Sequence, residues 1–160
     1  MATQQELSIR PAAPGDSPAL MALSERLAIG VAPWRDPVRV AAAARDWVAS
    51  SLAAAGHDGR AVLVARCGDQ ITGLVSLAER SHFTGQTDAY IGELVVDARM
   101  DGRGVGQALL AAAEDWAAGR GLACITLETG AGNDRARHFY ARAGYKEEDI
   151  RLTKPVRVQP

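Results

Sequence analysis

YIGELVVDARMDGRGVGQALLAAAEDW, residues Tyr90 to Trp116, reads as a strand, a glycine-rich turn and a helix in immediate succession. Ile91, Leu94, Val95 and Val96 make the short apolar run of a strand. Val105, Leu109, Ala113 and Trp116 then recur at offsets of four, four and three, which is one face of a helix. Between them Gly102, Gly104 and Gly106 let the backbone pass close to a ligand. The unpaired N–H groups of the first helical turn, backed by the positive end of the helix dipole, form an anion site. Arg103 adds a nearby positive charge, which favours a pyrophosphate over a single carboxylate. A turn of this kind can also be a mere tight connection. Two other phosphate motifs do not fit: the dinucleotide fingerprint needs G-x-G-x-x-G after the first strand of its unit, and a P-loop needs a lysine after its last glycine.

Working outward, residues 89–96 form the strand that feeds this turn, and residues 60–66 and 70–77 form an antiparallel hairpin closed by Cys67, Gly68 and Asp69. Residues 80–87 are a polar surface loop carrying His82 and Phe83. Nearer the N-terminus, residues 6–10 read as a strand. Ser17-Pro18 starts a helix through Leu20, Leu23 and Leu27 that Gly30 closes. Asp36-Pro37 starts a second helix through Val40, Ala44, Trp47, Val48 and Leu52 to about Ala55. Downstream come a strand over 122–128, a helix over 133–143 capped by Asn133 and Gly144, and a last strand over 145–155. The order is β-α-α-β-β-β-α-β-α-β: an α/β fold with a mixed, mostly antiparallel twisted sheet, helices on both faces, and one domain over 1–160.

Composition narrows the function. With 160 residues, 48% hydrophobic, 23% charged and a formal net charge of −1, the chain has no general attraction for nucleic acid or an anionic membrane. No run of 18 apolar residues without charge predicts a membrane span. The N-terminus lacks the basic start and apolar run of a secretory signal, so a cytoplasmic protein with reduced Cys67 and Cys124 is expected. Cys124 reads as core. His57 and His138 show no metal-ligand spacing with either cysteine, so no metal is expected.

The segment from Tyr90 to Leu122, followed by NDRARHFYARAGY at 133–145, resembles the GNAT superfamily of N-acetyltransferases. The family's Q/R-x-x-G-x-G/A turn maps to Asp101 through Gly106. Gly104 and Gly106 match, whereas Asp101 stands where glutamine or arginine is usual. An acid beside a polyanion is expected to face solvent or pair with Arg99 or Arg103. The resemblance implies acetyl-CoA as co-substrate. Backbone of Val96 and of Arg103, Gly104, Val105, Gly106 and Gln107 would hold its pyrophosphate, and main-chain groups of Leu94, Val95 and Val96 its pantetheine arm. Asn133 matches a coenzyme contact, although helix capping explains it as well.

Tyr140 matches the tyrosine that protonates the coenzyme thiolate. Glu93, a carboxylate among apolar strand residues, is the first choice for a base, acting directly or through water; an edge-facing solvated glutamate is the other reading. Glu79 and His82 are the runners-up. Trp34 is the acceptor-pocket candidate and Trp47 the core one. The family usually ends in a two-strand hairpin. Here only 145–155 remain, so that hairpin is cut short or merged into one strand, leaving an edge at which a second copy could pair. The implied activity is direct acetyl transfer to a primary amine of a small molecule or peptide in a ternary complex. A coenzyme-sensing module without catalysis is the alternative, because fold and function are separable.

Overall fold

Strand pairing follows the chain. In the computed structural model, which describes residues 6–157, β1 (Leu7–Pro11), β2 (Arg60–Cys67), β3 (Gln70–Ser81), β4 (Thr87–Val96) and β5 (Ile125–Leu127) form one sheet in that order. The first three pairings are antiparallel and β5 runs parallel to β4. The β2–β3 turn places Gly68 at φ +60°, a left-handed first position that glycine takes without strain. The parallel β4–β5 pair needs a crossover, supplied by α3 (Val105–Gly119).

Each face of the sheet has its own core. Val75, Leu77 and Ile91 pack against Val105, Leu109, Leu110 and Ala113 of α3, with Phe139 and Tyr140 of α4 (Asp134–Arg142) at the margin. On the opposite face, Val64, Leu74 and Val95 meet Leu20 and Leu23 of α1 (Ser17–Leu23) and Val48 of α2 (Pro37–Ala54). The start of α2 follows its sequence signal: the Asp36 carboxylate accepts from the amides of Val38 and Arg39, with Pro37 first in the helix.

Strand β4, like β3, serves both cores, and it also carries a bulge. Val75 pairs with Leu94 and Leu77 with Ile91, so Ser76 alone faces two residues, Gly92 and Glu93. The extra residue shifts the alternation. Ile91, Leu94 and Val96 all belong to the α3 side, and Val95 to the α1–α2 side. Glu93, hydrogen-bonded to Ser51 of α2, lies on that second side too.

Four expectations are corrected. The first helix is not continuous to Gly30: α1 tightens into a 3₁₀ turn over Ser24–Ala28, where the fully buried Ser24 bonds back to the Met21 carbonyl at 2.7 Å. Trp47 is not core; it is 48% exposed, because Ala44 and Val48 already fill that face of α2. Cys124 is exposed just before β5. The last strand over 145–155 does not form, and the observed order ends in a helix. Its charges pair outward instead, Glu147 with Arg137 and Arg151 with Glu128, with Glu148 3.8 Å from His82 Nε2, while Pro155 lacks a ladder donor. Ile150, Leu152 and Val156 stay exposed.

Helix α3 sits close to the sheet at Gly73. A Cβ there would stand 2.8 Å from the Val95 carbonyl and 2.9 Å from Leu109 Cδ1. Replacing Gly73 with alanine is therefore expected to push α3 off β3 and lower stability by about 1–3 kcal/mol, read from the urea midpoint at constant m.

Candidate active site

Strand β5 stops at Leu127, level with Ile91, while β4 runs on to Val96. The β5-facing backbone edge of residues 92–96 therefore has no strand partner, and a notch opens between the two parallel strands. At its mouth lies the β4–α3 turn. Asp97 caps a 3₁₀ turn over Ala98–Met100 by accepting from the Arg99 amide at 2.9 Å. Gly102 and Gly104 follow at φ +75° and +81°, and Gly104 is the N-cap of α3. The Ala108 amide reaches the Gly104 carbonyl, so the N–H groups of Val105, Gly106 and Gln107 precede the helical ladder. The Arg103 amide, which the sequence reading places with them, instead donates to the Met100 carbonyl at 3.1 Å. A Cβ on Gly106 would meet Phe139 Cζ at 3.4 Å, which shows how closely α4 approaches this turn.

Asp101 has neither expected partner. Arg26 donates to both its carboxylate oxygens at 3.2 Å and Arg135 to one at 2.9 Å, while Arg99 pairs with Asp97 at 2.6 Å. Asp101 thus ties the turn to the 3₁₀ segment after α1 and to the first turn of α4. The Arg135 hydrogen bond, before the charge of Arg26, holds its carboxyl below the usual range. The Arg99 side chain holds that of Asp97 down to about 2. The loop after Ala28 is locked to the same place. A Cβ on Gly30 would collide with Asn133, and one on Gly130 with the Gly30 carbonyl. Asn133 accepts from the Ala136 amide at 3.1 Å and donates to the Ile29 carbonyl at 3.3 Å, so its side chain is committed to capping and to this junction.

The two candidates for proton transfer, Tyr140 and Glu93, lie on opposite faces of β4. On the α3 side, the Tyr140 ring packs on Phe139 and Tyr145 at centroid distances of 5.1 and 5.6 Å. Burial pushes its phenol up to about 12. The Tyr140 hydroxyl has no hydrogen-bond partner among the described residues, and none of their fully buried side-chain polar atoms lacks one, so this hydroxyl reaches solvent. On the α2 side, Glu93 is only 7% exposed. Its Oε2 accepts from the Ser51 hydroxyl at 2.9 Å and from the Ser76 hydroxyl. The Glu93 amide donates to Ser76 Oγ at 2.9 Å. Oε1 has no such partner and reaches solvent by the same reasoning. Sequence reasoning missed Ser51 and Ser76. A serine in the apolar run of β3, opposite a Gly-Glu pair, was the available signal.

Other candidates lie elsewhere. Glu79 accepts from Arg120 Nε at 2.7 Å beside the end of α3, and pairs with Ala89 at the start of β4. Seven residues of strand, about 23 Å, separate that point from Val96. His82 is on the β3–β4 hairpin, bonded through Nδ1 to Thr84 Oγ1 at 2.7 Å and stacked near Phe83. Trp34, 59% exposed, stands on the loop that begins at the Asn133 junction. A hollow of about 580 Å³ between β1, the β2–β3 turn and α1 touches the site only through Arg99. Its arginines, Arg10, Arg66 and Arg99, are each paired with an aspartate. Among the described residues no three His, Cys, Asp or Glu side chains gather as metal ligands, and no helix is long and apolar enough to cross a membrane.

Residues 26–145 match the model of the acetyltransferase (GNAT) family. The chain is 31% identical over 101 residues to the uncharacterized N-acetyltransferase YhfO of Bacillus subtilis, a match covering 55% of this chain and 68% of that protein. It is 36% identical over 86 residues to the aminoalkylphosphonate N-acetyltransferase of Salmonella typhimurium, covering 53% of this chain and 56% of the relative. The crystal structure of a GCN5-related N-acetyltransferase from Ralstonia eutropha superposes with a TM-score of 0.70 at 27% identity, over 94% of this chain and 99% of the other.

A carboxyl whose pKa falls on folding adds stability above the unfolded value near ~4 and loses it as pH drops toward the folded one. With Asp97 held at about 2, its contribution fades between those limits. Asp97→Asn is expected to flatten the fall of the urea midpoint from pH 4 to 2 (roughly the window those two values bound), leaving other acidic transitions in place.

Proposed function

Because this chain belongs to the acetyltransferase (GNAT) family, whose co-substrate is acetyl-CoA, we propose that it transfers the acetyl group directly to a primary amine of a small molecule or peptide while both substrates are bound. The observation that carries the reading is the notch. It sets an unpaired backbone edge beside three unladdered helix amides, with one solvent-reaching candidate atom on each face of β4.

In this reading the amides of Val105, Gly106 and Gln107, with the helix dipole behind them, hold the pyrophosphate. Backbone of Leu94, Val95 and Val96 lines the pantetheine arm. The residues fit that ligand, since Gly104 takes the left-handed cap that starts the helix and Gly106 lets Phe139 of α4 pack close behind the turn. Bound acetyl-CoA supplies an activated acyl group as a thioester. Glu93 Oε1 accepts the amine's proton, and the Tyr140 hydroxyl holds a proton for the departing thiolate. A phenol at about 12 stays protonated near neutrality. The burial that raises it raises a neighbouring thiol as well, so donor and acceptor move together. Asn133 acts by fixing the start of α4, the helix that carries Tyr140. Trp34 offers an aromatic wall to the acceptor. The similarity to an aminoalkylphosphonate N-acetyltransferase supports a small-molecule amine.

The test is thiol release from acetyl-CoA across a panel of amines, with CoA binding followed by calorimetry. Tyr140→Phe is expected to lower kcat by about 100-fold while CoA affinity stays within about twofold. Unchanged turnover would remove Tyr140 from the mechanism, and CoA binding without turnover of any amine would indicate a sensor.

A further inference from the structure

We propose that Ser51 and Ser76 are positioning residues for proton removal from the acceptor amine: together they hold Oε2 of Glu93 and leave Oε1 as the atom that takes the proton. The proposal rests on the reading of Glu93 as the base. It comes from how the hydroxyl protons must point.

Ser76 Oγ accepts the Glu93 amide N–H at 2.9 Å, so its single proton is free to go to Oε2. Ser51 Oγ, on α2, reaches the same oxygen at 2.9 Å. Two donors from separate elements on one oxygen fix the carboxyl's rotation as well as its place, which a single bond would not do. Neither serine drifts. Ser76 is itself buried in β3, and Ser51 stands three residues from Val48, which is 1% exposed in the α1–α2 core. The oxygen left over, Oε1, reaches solvent without a partner among the described residues.

The proton balance suits this division. As the amine attacks, one N–H bond breaks and one O–H bond forms at Oε1, turning the carboxylate into a carboxylic acid. Oε2 then remains a carbonyl-type acceptor, so both serine bonds persist through the transfer. A base held by its reacting oxygen would have to break a bond first.

The experiment is a double-mutant cycle between Ser51→Ala and Glu93→Gln, with kcat, acceptor KM and CoA affinity measured for every member. In the wild-type background Ser51→Ala is expected to lower kcat about tenfold with CoA affinity within about twofold, and Ser51→Thr to restore most of it. In the Glu93→Gln background the same change should cost nothing further. Should Ser51→Ala melt early, Ser51→Cys, which keeps the volume with a weaker donor, should show the same loss. An equal loss in both backgrounds, or no rescue by threonine, overturns the positioning role. Full kcat in Glu93→Gln alone would instead overturn the base assignment beneath it.

Discussion

One extra residue in β4 governs the site. If β4 alternated without interruption, Ile91, Glu93 and Val95 would share a face. Glu93 would then fall among Leu77, Val105 and Leu109, where a carboxylate has no partner. Placing Gly92 and Glu93 together opposite Ser76 turns the carboxylate to the α2 side, next to two hydroxyls, and keeps Leu94 and Val96 in the α3 core. The bulge increases local twist, and β5 keeps only three paired residues beside it. The buried acid and the parted strands thus share one local irregularity.

The second constraint is electrostatic. The β4–α3 turn brings together several arginines and two aspartates, and each aspartate has a distinct task. Asp97 acts locally, capping its own turn and holding Arg99. Asp101 acts at long range, drawing Arg26 and Arg135 onto one carboxylate. Such partly exposed pairs contribute modestly one by one. Their larger effect is geometric. They fasten α4, and with it Tyr140, to the β4–α3 turn. The Gly30–Gly130 approach repeats this on the backbone, since neither loop leaves room for a Cβ.

Much of this was legible in the chain. The strand–turn–helix at residues 90–116, the Asp36-Pro37 start of α2, the Asn133 cap and the β2–β3 turn each depend on neighbours within a few residues, and each appears where local chemistry places it. The errors share a cause as well. Trp47 and Cys124 looked internal because apolar residues surround them in sequence, yet burial is decided by what packs opposite. The final strand failed because an alternating pattern needs a partner edge and a face to cover, and three residues of β5 offer little of either.

The sequence by itself determined most element types, the glycine-rich turn between β4 and α3 and the kinship with acetyltransferases, because these follow from spacing along the chain. Only the tertiary structure decided which groups meet. It set Ser51 and Ser76 on Glu93, and Arg26 and Arg135 on Asp101, across separations of 42, 17, 75 and 34 residues. It also tied the Arg103 amide to the Met100 carbonyl and set Glu79 beside Arg120, opposite the start of β4. Contacts over such separations depend on strand register and helix packing, and a single bulge is enough to reverse which face a side chain occupies.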